Sequence, residues 1–142
     1  MKRISSSILA LAMVFTCCCG VASAAENSDT RASLTLSFYN AELVAGDSKG
    51  VISVDYDVQS SKMASFIGVE SIKIYKADGS YVTTITGTTS NGLVESNSDI
   101  CKSFYDYKLT SGVSYYAKVQ VFATVGSEYD SRTITTSTVK AP

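Results

Sequence analysis

The stretch that decides the fold is Leu109 to Val139, LTSGVSYYAKVQVFATVGSEYDSRTITTSTV. From Tyr115 the odd positions Tyr115, Ala117, Val119, Val121 and Ala123 suit a core, while the even positions Tyr116, Lys118, Gln120 and Phe122 are mixed and partly charged. Successive side chains of an extended chain leave opposite faces, so a period of two sustained here predicts a half-buried strand. Val125-Gly126-Ser127 predicts a turn, and Arg132 to Val139, rich in Thr and Ile, predicts the antiparallel return. In this reading Leu109, Tyr115, Val119 and Val121 hold the structure together, and Tyr116 and Phe122 face outward.

The N-terminus carries an address. Lys2 and Arg3 precede an apolar run, Ile8 to Val21, and Ala22-Ser23-Ala24 has the small residues of a cleavage site. That is the layout of a secretory signal peptide. The run is shorter than the roughly 20 residues of a spanning helix, and no stop-transfer pattern follows. Cys17-Cys18-Cys19 follows Val14-Phe15-Thr16, without the small residue expected before a lipidated cysteine. Residues 1–24 are therefore expected to be removed, 25–32 to be a flexible polar leader, and 33–142 to form one domain. The expected product is secreted and extracellular, with no membrane insertion after cleavage.

Three of the four cysteines leave with that segment, and Cys101 remains. No intramolecular disulfide can form, so packing must hold the domain. Cys101 is read as a small buried apolar residue, with an intermolecular bridge as the alternative. Losing Lys2 and Arg3 leaves a modest acidic excess with the two signs interspersed. Nothing in that pattern attracts nucleic acid or anionic lipid.

Elsewhere the alternation recurs in pieces. Leu34, Leu36 and Phe38 suggest a first strand, continued by Ala41 to Val44 after a bend at Asn40, and AGDSKG (Ala45 to Gly50) is a turn. Ile52, Val54, Tyr56 and Val58 oppose Val51, Ser53, Asp55 and Asp57 in the cleanest strand of the first half. Gln59 to Lys62 breaks the pattern, and Met63, Phe66, Ile67 and Val69 read as a core-plugging crossover between sheets. Ser71 to Lys76 is a strand with Ile72 and Ile74 inward and Lys73 and Tyr75 outward. Asp78-Gly79 closes a hairpin to Tyr81–Thr86, because such a turn needs residues that tolerate positive φ. Gly87 to Ser98 reads as a polar loop, and Cys101, Ser103, Tyr105, Tyr107 and Leu109 share a face of the next strand. No segment has helical periodicity. About seven strands at this spacing predict an all-β fold, an antiparallel two-sheet sandwich.

The order Leu109, Gly112, Tyr115, Ala117, Val119, Val121, Ala123 resembles the strand E to strand F passage of fibronectin type III and related immunoglobulin-like domains. The resemblance implies that Tyr115 anchors a corner, its hydroxyl bonding back to nearby backbone. Ser111 stands where that family usually has proline, and the chain has no tryptophan. Over residues 31–140 the chain also resembles small uncharacterised secreted proteins of Firmicutes. Arg31-Ala32-Ser33, Met63…Ile67-Gly68, Ile72-Lys73-Ile74-Tyr75, Tyr115-Tyr116-Ala117 and Asp130-Ser131-Arg132…Thr136-Ser137-Thr138-Val139 carry that likeness. It implies a secreted bacterial protein and supplies no catalytic residue.

Chemistry narrows by subtraction. The chain has no histidine, so Ser-His-Asp and Cys-His arrangements cannot be built, and zinc, copper or iron lose their commonest ligand. No Gly-rich loop opens a helix to cradle a nucleotide. Thirteen acidic residues leave two-carboxylate glycoside hydrolysis formally open, but they read as solvated loop and strand-edge acids. Asp47, Asp55, Asp57 and Asp99 could approach calcium, though no ordered Asp-x-Asp loop supports it. No catalytic residue, metal or cofactor is expected.

The candidate surface is aromatic. In a sandwich Tyr75, Tyr116 and Phe122 point outward on neighbouring strands, with Lys73, Lys118 and Gln120 between them. Tyrosines with polar neighbours suit contact surfaces because they bury much area yet tolerate water. They also serve simply to cover cross-strand neighbours. The expectation is a secreted, non-catalytic immunoglobulin-like protein that binds an unknown protein or a cell-surface glycan. A secreted antagonist (a bacteriocin-like toxin or an inhibitor of an extracellular enzyme) and an envelope or matrix structural protein are the alternatives.

Overall fold

The computed structural model describes residues 35–142, so the expected signal peptide and leader lie outside the described residues. The strands are β1 Leu36–Ala45, β2 Val51–Lys76, β3 Tyr81–Thr86, β4 Val94–Lys108, β5 Ser114–Val125, β6 Glu128–Thr135 and β7 Val139–Lys140. All seven hydrogen-bond into one antiparallel sheet, which curls around its own core. The described residues belong to one unit, Arg31–Pro142.

β2 is the spine. A straight strand of 26 residues would run to roughly 85 Å at the usual rise, so it bends, with irregularities in its pairing near Gln59–Ala64 and Val69–Ser71. Its first half lies between β1 and the C-terminal part of β4. Its second half lies between β5 on one side and β3 with the start of β4 on the other. β6 extends β5, and β7 pairs with the beginning of β5. The two halves of one curled sheet thus face each other across Ile52, Val54, Val58, Ile67, Val69, Ile72, Ile74, Val119 and Val121. Where the curl brings its ends together, the Leu36 N–H donates to Asp130 Oδ2 at 3.4 Å.

The bends explain where the expected elements differ. Gln59 to Val69 is continuous strand and not a crossover plug, since Met63 is 64% and Phe66 48% exposed. The core positions there are Ala64, Ile67 and Val69; the inward set stays on even positions from Val58 through Ser60 to Ala64, moves to odd positions at Ile67 and Val69, and returns to even ones at Ile72 across the Val69–Ser71 irregularity, so no single period spans the segment. β1 runs through Asn40 without interruption, and an irregularity between Leu36 and Phe38 turns Leu36 inward and Phe38 outward. The loop expected at Gly87–Ser98 ends at Leu93, because Val94–Ser98 joins β4 and pairs with β2. Of the face from Cys101 to Leu109, Cys101 is buried, Tyr105, Tyr107 and Leu109 are half-buried, and Ser103 is exposed.

Gly68 shows why the bend needs its own residue. Its φ is +143°, and a Cβ there would stand 2.2 Å from the Leu93 carbonyl oxygen. That carbonyl accepts from the Val69 N–H at 2.7 Å. Only a residue without a side chain lets the Leu93–Val94 backbone lie directly on β2.

Candidate functional site

The outer surface of β3, β2, β5 and β6 is built by alternation. Ala117, Val119, Val121 and Ala123 are fully buried, which turns Tyr116, Lys118, Gln120 and Phe122 outward on β5. Burial of Ile72 and Ile74 turns Lys73 and Tyr75 outward on β2 in the same way. The register sets Tyr75 directly opposite Tyr116, and Lys73 opposite Lys118. The Tyr75 and Tyr116 rings stack with centroids 5.3 Å apart at 13°. The Lys118 ammonium lies 5.6 Å from the Tyr75 centroid, within reach of a cation–π attraction. Four of the five residues expected to form the surface therefore meet at one end of the sheet.

Phe122 is on the same face but apart from them. It lies six residues along β5 from Tyr116, roughly 20 Å at the strand rise, opposite Gly68. There it stacks on Tyr129, centroids 5.9 Å apart at 29°. The Tyr129 hydroxyl donates to Glu70 Oε2 at 2.9 Å, and partial burial followed by that bond holds its pKa above the ordinary value.

Tyr81 completes the first cluster and was not among the expected residues. It is 60% exposed and sits edge-on to Tyr75, centroids 5.9 Å apart at 72°. The signal for it was the tight hairpin itself. Gly79 at φ +88° turns the chain so that Tyr81 pairs with Tyr75. The row Tyr81–Tyr75–Tyr116 then runs across three strands.

The residues assigned to holding the structure are inside it. Tyr115 is 2% exposed, and its hydroxyl donates to the Thr110 carbonyl at 3.5 Å, five residues upstream. Val119 and Val121 are fully buried, and the half-buried Leu109 donates its N–H to the Gly50 carbonyl at 2.6 Å.

A second outer surface lies on the other half of the sheet. Along β2 the short side chains Asp55 and Asp57 form the floor of an open groove, with β1 and β4 as its walls. Phe38, Asn40, Glu42, Lys102 and Phe104 line it with Asp55 and Asp57, and its volume is about 380 Å³. Phe104 is 63% exposed. Lys102 donates to Asp57 at 2.8 Å, and this bond is the main reason the Asp57 pKa is lowered.

Cys101 is buried, with its thiol against the Leu93 carbonyl at 3.6 Å, and burial pushes its pKa up to about 11. A thiol so placed is a poor nucleophile at neutral pH. The carboxyls whose pKa moves, Asp57 and Asp78, both shift down through hydrogen bonds, opposite to the direction a general acid needs. Among the described residues no group of three or more Cys, Asp or Glu is placed to hold a metal ion.

No protein-family model matches the chain, and no curated protein matches it. Among solved structures, a family 76 glycoside hydrolase from a bovine Bacteroides thetaiotaomicron strain is similar at a TM-score of 0.44 and 14% identity. The similarity covers 73% of this chain and 20% of that one. A likeness of this size carries no argument about activity.

Proposed function

We propose that this is a secreted, non-catalytic binding domain whose contact surface is the Tyr81–Tyr75–Tyr116 row with Lys73 and Lys118. The observation that carries the reading is the row itself: three tyrosines from three strands gathered with two lysines on an open sheet face. Aromatic rings fixed by one another lose little freedom on binding, which is why such clusters serve as anchors. The arrangement favours a protein over a glycan. Tyr75 already engages Tyr116, the edge of Tyr81 and the Lys118 ammonium, so the row offers hydroxyls, ring edges and positive charge more than a bare ring for a sugar. An immunoglobulin-like scaffold belongs to the same proposal, supported by the Tyr115 hydroxyl bond to Thr110.

Exchange of Tyr75 and Tyr116 together for Ser tests the reading. Both rings are half-buried on an outer face, so the variant should fold while losing capture of its partner from culture and cell-surface extracts. Protease treatment of the extract should abolish capture and periodate treatment should not. Unchanged capture by the folded variant would remove the tyrosine row from the binding surface.

A further inference from the structure

Two pairs of like charges stand directly across from each other on the outer faces. Lys73 opposes Lys118 beside the tyrosine row, and Glu42 opposes Asp55 in the groove between β1 and β4. Directly opposed side chains on one face approach to about 5 Å at Cβ, where like charges oppose folding. No ion pair relieves either of them within the chain, although the Lys118 ammonium lies 5.6 Å from the Tyr75 centroid and Asp55 accepts a hydrogen bond from Ser53 Oγ at 3.3 Å. Among the described residues the ion pairs are Lys102–Asp57 and Arg132–Asp130, and none of the four residues takes part. Places where a sequence breaks a local rule of this kind without a gain inside the fold tend to be functional surfaces.

We infer that the tyrosine–lysine face of one molecule docks into the acidic groove of a second copy, Lys73 and Lys118 meeting Glu42 and Asp55. This rests on the tyrosine face being a contact surface and names its partner. The charges are opposite, and the pitch is the same because both pairs are cross-strand neighbours. Both surfaces also carry the aromatic content of a contact, Tyr75, Tyr81 and Tyr116 on one side and Phe38 and Phe104 on the other. The two patches lie on opposite halves of the same sheet, so the contact is heterologous: each molecule uses one patch for the neighbour on each side, and assembly proceeds head to tail. Attraction between exposed charges makes it sensitive to salt.

Sedimentation velocity of purified protein from micromolar to millimolar concentration tests the inference. At 50 mM NaCl the sedimentation coefficient should rise with concentration, and at 500 mM the rise should disappear. K73Q/K118Q and E42Q/D55N each remove one half of the contact and also relieve a like-charge pair, so both should stay folded. Each alone should associate at least about tenfold more weakly than the parent. Mixed one to one, they retain a single intact contact between them and should form a heterodimer and nothing larger. A parent that stays monomeric at millimolar concentration and 50 mM NaCl, or either variant assembling like the parent, would overturn the inference. A monomeric parent whose capture of extract proteins still requires Tyr75 and Tyr116 would leave the tyrosine face as the binding surface and reject only the second copy.

Discussion

Exchanging Lys73 for Glu should make the isolated domain more stable. Lys73 faces Lys118 across the β2–β5 ladder and has no acidic partner. With the ammonium groups splayed to about 7 Å in water, Coulomb's law gives roughly 0.6 kcal/mol of repulsion. Screening at 0.1 M salt, where the Debye length is near 10 Å, halves this to about 0.3 kcal/mol. Glutamate replaces the repulsion by an attraction of similar size, a gain of about 0.6 kcal/mol, from which its weaker strand propensity removes about a tenth or two. For a domain of roughly a hundred residues the unfolding entropy is near 0.2 kcal/mol/K, so Tm should rise by about 2 °C. Lys73→Gln, which removes the repulsion alone, should give about half that. Thermal unfolding at a few micromolar, below any self-association, measures both, and the gain should vanish in 1 M NaCl. A K73E variant that melts at or below the parent, or a gain that survives 1 M NaCl, refutes the electrostatic reasoning. So does a K73Q variant that gains as much as K73E.

Two further outcomes follow from the interior. Gly68→Ala should destabilise by at least about 2 kcal/mol, from a backbone conformation that disfavours a Cβ together with displacement of the Leu93 carbonyl from the Val69 N–H; an unchanged denaturant midpoint would contradict the account of the bend. Tyr56, whose hydroxyl donates to the Gly92 carbonyl at 2.7 Å, has its pKa pushed up to about 12, chiefly by burial. In the unfolded chain tyrosine ionises near 10, so this stabilisation is complete below pH 10 and is lost as pH rises through about 12. Tyr56→Phe should cost about 1 kcal/mol at pH 7 and should flatten the loss of stability between pH 10 and 12; an equally steep alkaline limb in the variant would place the effect elsewhere.

The fold was legible wherever one strand keeps one phase. From Tyr115 to Ala123 the alternation alone separates the five buried side chains from the outward ones, and Ser71 to Thr86 yields strand, turn and return together. It was illegible where a strand changes phase while continuing. β2 turns from one half of the sheet to the other between Gln59 and Ser71, and its inward set passes from even positions (Val58, Ala64) to odd ones (Ile67, Val69) and back to even at Ile72. A fixed period cannot follow such a strand, so it assigns Met63 and Phe66 to a core that they do not enter. The same bend turns two expected sheets into one curled sheet, because bent strands read as separate strands.

The candidate surface divides along the same line. Tyr75, Tyr116, Lys73 and Lys118 could be grouped from phase alone, since each is flanked by residues that must be inside. Phe122 shares their phase but not their neighbourhood, and distance along a strand does not show in alternation. Tyr81 needed the hairpin register, which Asp78-Gly79 encodes. The groove between β1 and β4 joins residues distant in sequence, Phe38, Asp55 and Phe104, so only the pairing of three strands could reveal it.

The most direct test of the tyrosine row as the contact surface is hydroxyl-radical footprinting of the protein, free and bound to the surface material it captures. Oxidation of Tyr75, Tyr81 and Tyr116 should slow together on binding, while Tyr129, at the far end of the same face, keeps its free rate. Equal oxidation of the three rings in both states, or protection confined to Tyr129 and Phe122, would contradict the account.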